Sequence, residues 1–214
     1  MGDKVTGKIE KGAETAHERA RAHLLASAEV KRRIAESCLE EIVAAAEMIA
    51  QALLAGGKVM FCGNGGSAAD CQHIAAEFMN VLRQDFQRPA LAAIALTTDT
   101  SFLTANANDF GFEGVFARQV EALGRPGDVL IGISTSGNSP NVLQAISRAQ
   151  QLGLQTVALT GSTGGKLASL AEVVIRVPSN SVQHIQEAHI AVGHILCDLV
   201  ERSTFGPACA AQSG

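Results

Sequence analysis

Phe61-Cys62-Gly63-Asn64-Gly65-Gly66-Ser67-Ala68-Ala69-Asp70-Cys71-Gln72-His73-Ile74-Ala75-Ala76-Glu77 carries an apolar run into a bare glycine turn and then into a helix. The run from Lys58 to Cys62 reads as a buried strand. Ser67 is the expected N-cap of the helix, with Asp70 three residues on in a near capping-box pattern. Strand, glycine loop and fresh helix N-terminus together make an anion site, because backbone N–H groups and the helix dipole both favour negative charge there. One turn into the helix, His73 and Glu77 stand at i and i+4 and share a face. A surface ion pair is the ordinary reading of such a pair. Next to a phosphate cradle, it points to chemistry on a phosphorylated small molecule.

Working outward, apolar strands alternate with helices. Strands are expected near 58–62, 91–96, 128–133, 154–159 and 172–177. Helices are expected at 67–82, 100–107, 112–123, 140–152 and 181–204, with a short one near 164–170. Upstream, residues 28–55 form a long amphipathic helix with Ile34, Cys38, Ile42, Ala45, Ile49 and Leu53 at helical spacing, ended by Gly56-Gly57. Residues 1–27 read as a polar arm or helix, 28–205 as a single domain and 206–214 as a tail. Five apolar strands separated by helices predict an α/β fold, a doubly wound five-stranded parallel sheet covered on both faces.

Ligands of such sheets bind beyond the carboxyl ends of the strands, where strand order reverses. In a flavodoxin-like order that point lies between the first and third strands. The third strand runs into Ser134-Thr135-Ser136-Gly137-Asn138-Ser139-Pro140. Ser139 suits an N-cap and Pro140 the first helical position. Hydroxyls and amides at a helix N-terminus hold a phosphate without Lys or Arg. Gly63-x-Gly65-x-x-Ala68 matches a dinucleotide fingerprint only formally, since the acid expected about twenty residues on is missing. Gly161 to Lys166 has the wrong spacing for a P-loop.

The last helix carries His184, Gln186, Glu187, His189 and His194 among apolar residues. His184 and His189 read as a surface stripe. His194 is either a core histidine or part of a site. Glu187 lies most nearly beneath it, with Gln186 roughly 80° round the helix by the 3.6-residue repeat. Periodicity does not select Gln186.

Hydrophobic residues make up 47% of the chain and charged ones only 18%, which excludes disorder as the main state and implies surface buried between subunits. A net charge of −4 with neither Trp nor Tyr argues against nucleic-acid binding. No apolar run reaches membrane-spanning length, and the charged N-terminus lacks a signal-peptide core. Cys38, Cys62, Cys71, Cys197 and Cys209 are scattered without a CxxC, as free thiols in a reducing cytoplasm would be. Cys71 reads as a small buried apolar residue.

Taken in order, the Gly63–Ser67 loop, His73-x-x-x-Glu77, Asn108-Asp109, the Ser134–Ser139 loop, and Gln186 with His194 resemble the sugar isomerase (SIS) fold over about residues 30–205. More closely, they resemble the sedoheptulose-7-phosphate isomerase family. The resemblance implies one zinc per subunit held by His73, Glu77, Gln186 and His194, and a phosphate on Ser134, Thr135, Ser136 and Ser139. It implies sugar contacts from Asn64, Gly65, Gly66, Asn108 and Asp109, with Glu77 and Gln186 also touching substrate. The implied enzyme is a cytoplasmic homotetramer with active sites at subunit interfaces. Its reaction is aldose–ketose isomerisation of a phosphorylated seven-carbon sugar through an enediol, feeding cell-surface heptose synthesis, with Glu77 as base and His194 as partner acid/base. Two departures stand out: the Phe78–Arg88 segment is longer than in many relatives, and a basic residue common soon after the glutamate is displaced to Arg83. The alternative on the same scaffold is a non-catalytic tetramer that binds a replication initiator or senses a phosphosugar. Acid/base residues at positions 77 and 194 favour the enzyme.

Overall fold

The computed structural model describes residues 15–206. The first part of the expected arm, residues 1–14, the tail beyond 206 and Cys209 lie outside the described residues. The elements are helices α1 (Ala16–Ser37) and α2 (Leu39–Leu54), strand β1 (Val59–Gly63), α3 (Gly66–Met79), β2 (Ala93–Ala95), α4 (Thr100–Phe110), α5 (Val115–Leu123), β3 (Val129–Ile133), α6 (Pro140–Gln151), β4 (Gln155–Thr160), β5 (Val173–Arg176) and α7 (Val182–Phe205). The strands form one parallel sheet in the order β2-β1-β3-β4-β5, the flavodoxin-like order.

Alternate strand residues face opposite layers, and both layers are apolar. Val59 and Phe61 of β1, Val129, Ile131 and Ile133 of β3, and Val157 and Leu159 of β4 join a core with α1, α2, α3 and α7. Met60, Cys62, Leu130 and Ala158 point the other way, into a core with α5 and α6. Gly132 of β3 lets α6 settle against the sheet: a Cβ there would lie 2.8 Å from Val142 Cγ1.

The Asp128 carboxylate, 2% exposed, joins the amino ends of β1 and β3. It accepts from the Lys58 and Arg125 backbone N–H groups at 2.9 and 2.8 Å and pairs with Lys58 Nζ. This fixes Val59 opposite Val129, and with it the register through Gly63 opposite Ile133.

The expected helix over 28–55 is two helices. α1 begins upstream at Ala16, after a Thr15–Glu18 capping box, and passes residue 28 without a break. The break falls at Cys38, whose φ of −131° leaves the helical region. There the Cys38 thiol reaches Arg176 O at 3.3 Å. The apolar stripe survives the break, since Ile34, Cys38, Ile42, Ala45 and Ile49 are all buried. Ser67 is not an N-cap either. α3 starts one residue earlier with Gly65 as its cap, and Ser67 is buried inside the first turn.

His189 departs from the expected surface stripe, since it is 1% exposed. Its Nε2 donates to Thr160 O at 3.1 Å, tying α7 to the end of β4, while no hydrogen-bond partner among the described residues meets Nδ1. Burial pulls its pKa down to about 4 from 6.5. A base depressed in this way binds fewer protons folded than unfolded, so its contribution is complete above about pH 6.5 and is lost as pH falls toward about 4. Urea denaturation at pH 7 and pH 4 should show wild type losing about 2–3 kcal/mol more than His189→Gln over that interval. Equal losses would contradict a neutral buried imidazole.

Candidate active site

The β1–β3 register brings two loops out side by side at the reversal of strand order. The first is Asn64-Gly65 leading into Gly66. Gly65 has φ +56°, a backbone that an L-residue rarely adopts. Gly66 lies directly under Gln186: a Cβ there would fall 2.6 Å from the Gln186 amide nitrogen.

The second loop is the hydroxyl cluster. Ser134 Oγ lies 2.9 Å from Ser139 Oγ and 3.4 Å from Ser136 Oγ. Ser139 caps α6 by position and Pro140 opens it, as expected, but the Ser139 hydroxyl is turned to Ser134 and not to the helix N–H groups. Three hydroxyls meeting at a helix N-terminus are donors suited to phosphate oxygens. Thr135 and Ser136 also line a cleft of about 220 Å³ together with Ser162, Thr163, Ser179 and Asn180. The turn is locked from beneath: Gly137 has φ +66°, and a Cβ on it would sit 1.9 Å from Gly164 O. Leu167 N donates to Gly137 O at 3.0 Å and Lys166 N to Asn138 Oδ1 at 3.1 Å. The segment rejected as a P-loop is thus the floor of the hydroxyl loop.

Asn64 and Asn141 clamp the two loops together. Each amide donates to the other's oxygen, at 2.9 and 2.8 Å, and Asn141 is buried. Asn141 is not among the expected site residues. Its signal was an amide one residue after Pro140, on the first turn of a helix that otherwise turns apolar residues inward.

His73 and His194 come from helices 121 residues apart in sequence, and their Nε2 atoms are 2.9 Å apart. Glu77 Oε1 lies 3.5 Å from His73 Nε2, with the glutamate mostly buried and His73 half exposed. These three side chains are close enough for their ligand atoms to share one ion. Beside this contact lies Gly193, where a Cβ would meet Ile74 Cδ1 at 2.5 Å. Gly193 and Ile74 are the chain neighbours of His194 and His73. His194 therefore faces His73 across the two helices and is not a lone core histidine. Glu187, the residue nearest beneath it by helical geometry, instead binds His23 on α1 at 2.7 Å.

Asp70, on the turn before His73, has a buried Oδ2 with no hydrogen-bond partner among the described residues. Burial raises its pKa to about 6, opposed by the nearby His73. Burial pushes the Cys62 thiol up to about 12 and raises Cys71 and Cys197, so these thiols are not nucleophiles near neutral pH. Cys71 is fully buried, as expected.

The carboxyl end of α3 is held by Arg88, buried with Glu201. Arg88 Nε donates to Glu201 at 2.8 Å and its NH2 group to Glu77 O at 2.8 Å. Arg83, the displaced basic residue, turns outward to Asp85 at 2.9 Å. Asn108 and Asp109 lie on the exposed last turn of α4, bonded to each other at 2.8 Å. Among the described residues no hydrogen bond joins them to either loop.

Residues 23–161 match the SIS domain family. The chain is 55% identical over 166 residues to the phosphoheptose isomerase of Akkermansia muciniphila, covering 78% of this chain and 87% of that protein. It is 57% identical over 175 residues to the phosphoheptose isomerase of Aquifex aeolicus, covering 82% and 91%. The structure of the phosphoheptose isomerase from Neisseria gonorrhoeae aligns with TM-score 0.82 and 48% identity over 87% of this chain and 98% of that one. The sugar isomerase domain of an RpiR transcription factor from Sphaerobacter thermophilus, at 24% identity and TM-score 0.62, shares the fold alone. The chain belongs to the SIS domain family and, within it, to the phosphoheptose isomerase group.

Proposed function

We infer that this protein isomerises sedoheptulose 7-phosphate to D-glycero-D-manno-heptose 7-phosphate, an early step of heptose biosynthesis. The observation that carries the reading is the meeting of His73, Glu77 and His194 on two helices, one of which springs from the glycine loop beside the hydroxyl cluster. A carboxylate and an imidazole together can take a proton from the carbon next to a carbonyl and return it to the neighbouring carbon. In our reading Glu77 removes that proton, the enediol forms, and His194 passes a proton between the two oxygens. Ser134, Thr135, Ser136 and Ser139 take the phosphate, and Asn64, Gly65, Gly66 and Gln186 orient the sugar near it. Asn108 and Asp109, exposed at the end of α4, would contact the sugar as well.

The donor set fits a divalent ion of the zinc type. Two imidazole nitrogens 2.9 Å apart with a carboxylate oxygen 3.5 Å away are the ligand types zinc prefers. His73, Glu77 and His194 would hold it, with Gln186 as the fourth ligand, one ion per subunit. When bound, the ion would polarise the substrate's oxygens as a Lewis acid.

We read the assembly as a homotetramer in a reducing cytoplasm. The exposed Leu24, Leu25, Leu39, Val43 and Leu54 of α1 and α2 support subunit packing, and four of the cysteines are free and buried. No described helix is long and apolar enough to cross a membrane. The regulator alternative gains no support from a site that carries both acid/base residues.

Glu77→Gln should lower turnover of sedoheptulose 7-phosphate by about 10²–10⁴-fold in a product assay while leaving circular dichroism unchanged; near-wild-type turnover would sink the assignment. Ser134→Ala and Ser139→Ala should each raise KM by roughly 5–30-fold with a smaller change in kcat, as expected when about 1–2 kcal/mol of phosphate hydrogen bonding is lost. Gly193→Ala should part His73 from His194. Zinc retained after dialysis against a weak chelator should fall well below wild type, and an unchanged zinc content would show that the close crossing is dispensable.

A further inference from the structure

We propose that His23, His184 and Glu187 form a second divalent-metal site of the zinc class, bridging α1 to the start of α7 and separate from the His73–Glu77–His194 group. The donors are again two imidazoles and one carboxylate, and their ligand atoms all lie within 4.8 Å of one another. His23 Nε2 is 2.7 Å from Glu187 Oε1, and His23 Nδ1 is 3.3 Å from His184 Nε2. Tetrahedral zinc with bonds of about 2.1 Å places its ligands about 3.4 Å apart. A modest turn of the His23 ring, offering one nitrogen in place of two, opens that spacing. The first group shows the same drawn-together arrangement, with its imidazole nitrogens at 2.9 Å.

The surroundings suit a metal site. His184 and Glu187 lie at i and i+3 on α7 and so share a face. Ser27, one turn beyond His23 on α1, hydrogen-bonds the Glu187 carboxylate and is itself approached by Lys31 Nζ at 2.8 Å. A ligand carboxylate oriented by a neighbouring hydroxyl is how metal sites fix their donors. Two ligands in one helical turn and the third more than 160 residues away in sequence make a clip. α1 has need of one, because its only buried residues are Ser27, Val30 and Ile34, and none precedes Ser27. An ion here would fasten the amino half of α1 to the turn of α7 that also carries Gln186.

The test is zinc stoichiometry, by elemental analysis after equilibrium dialysis of the full chain against free zinc. Wild type should bind two zinc per subunit, and the His23→Ala/His184→Ala variant one. The His73→Ala/His194→Ala variant should also bind one, and zinc should still raise its melting temperature. Adding Glu187→Gln to that variant, which removes charge with little change of shape, should abolish both the remaining zinc and the shift. If wild type binds one zinc and His23→Ala/His184→Ala still binds one, the cluster is an ordinary surface ion pair and the proposal is overturned. If wild type binds one, His23→Ala/His184→Ala none and His73→Ala/His194→Ala one, the second site stands and the metal reading of the first fails.

Discussion

The parallel pairing of β1 with β3 is the constraint on which the site depends. Each strand ends in a loop that is inert alone: one offers glycines, the other small hydroxyls. In register from Val59–Val129 to Gly63–Ile133, the strands deliver both loops to one place. A buried carboxylate sets that register from the far end, since Asp128 collects backbone N–H groups from before both strands and pairs with Lys58. Burying a charge is costly unless it is paired and hydrogen-bonded, and this one is both. The Asn64–Asn141 clamp closes the other end.

A second geometric demand falls on the helices. Beside the His73–His194 contact, Gly193 leaves room for the Ile74 side chain of the facing helix. The same logic recurs at Gly132 under α6, Gly137 against Gly164 and Gly66 beneath Gln186. In each case the missing Cβ makes room for a specific neighbour. The glycines around this site therefore set distances between elements as well as the path of the chain.

Polar groups in the interior follow from the same economy. Glu201 is buried because Arg88 meets it, and Arg88 in turn holds the backbone of Glu77. His189 is buried because its proton is spent on Thr160 O. Its periodicity read as surface, since a helix packed between the sheet and neighbouring helices has a wider inward arc than an amphipathic pattern implies.

The sequence by itself determined the alternation of strands and helices, the parallel sheet and the two loops at its reversal, because apolar runs, glycine turns and proline positions act locally. It also marked His73 with Glu77, and Ser134 with Ser139, because those pairs lie within one helix or one loop. Element ends were less legible. The break at Cys38 answers to Arg176 of β5, which is not near in sequence. Only the tertiary structure decided which α7 side chain meets which partner: His194 with His73, Glu187 with His23, His189 with Thr160 and Gln186 with Gly66. One helix presents those groups in several directions at once, and helical periodicity gives their angles without saying what stands opposite. The crossing of α3 with α7, the docking of α1 and the end of β4 supply that information, in three of the four cases through contacts between residues more than a hundred positions apart.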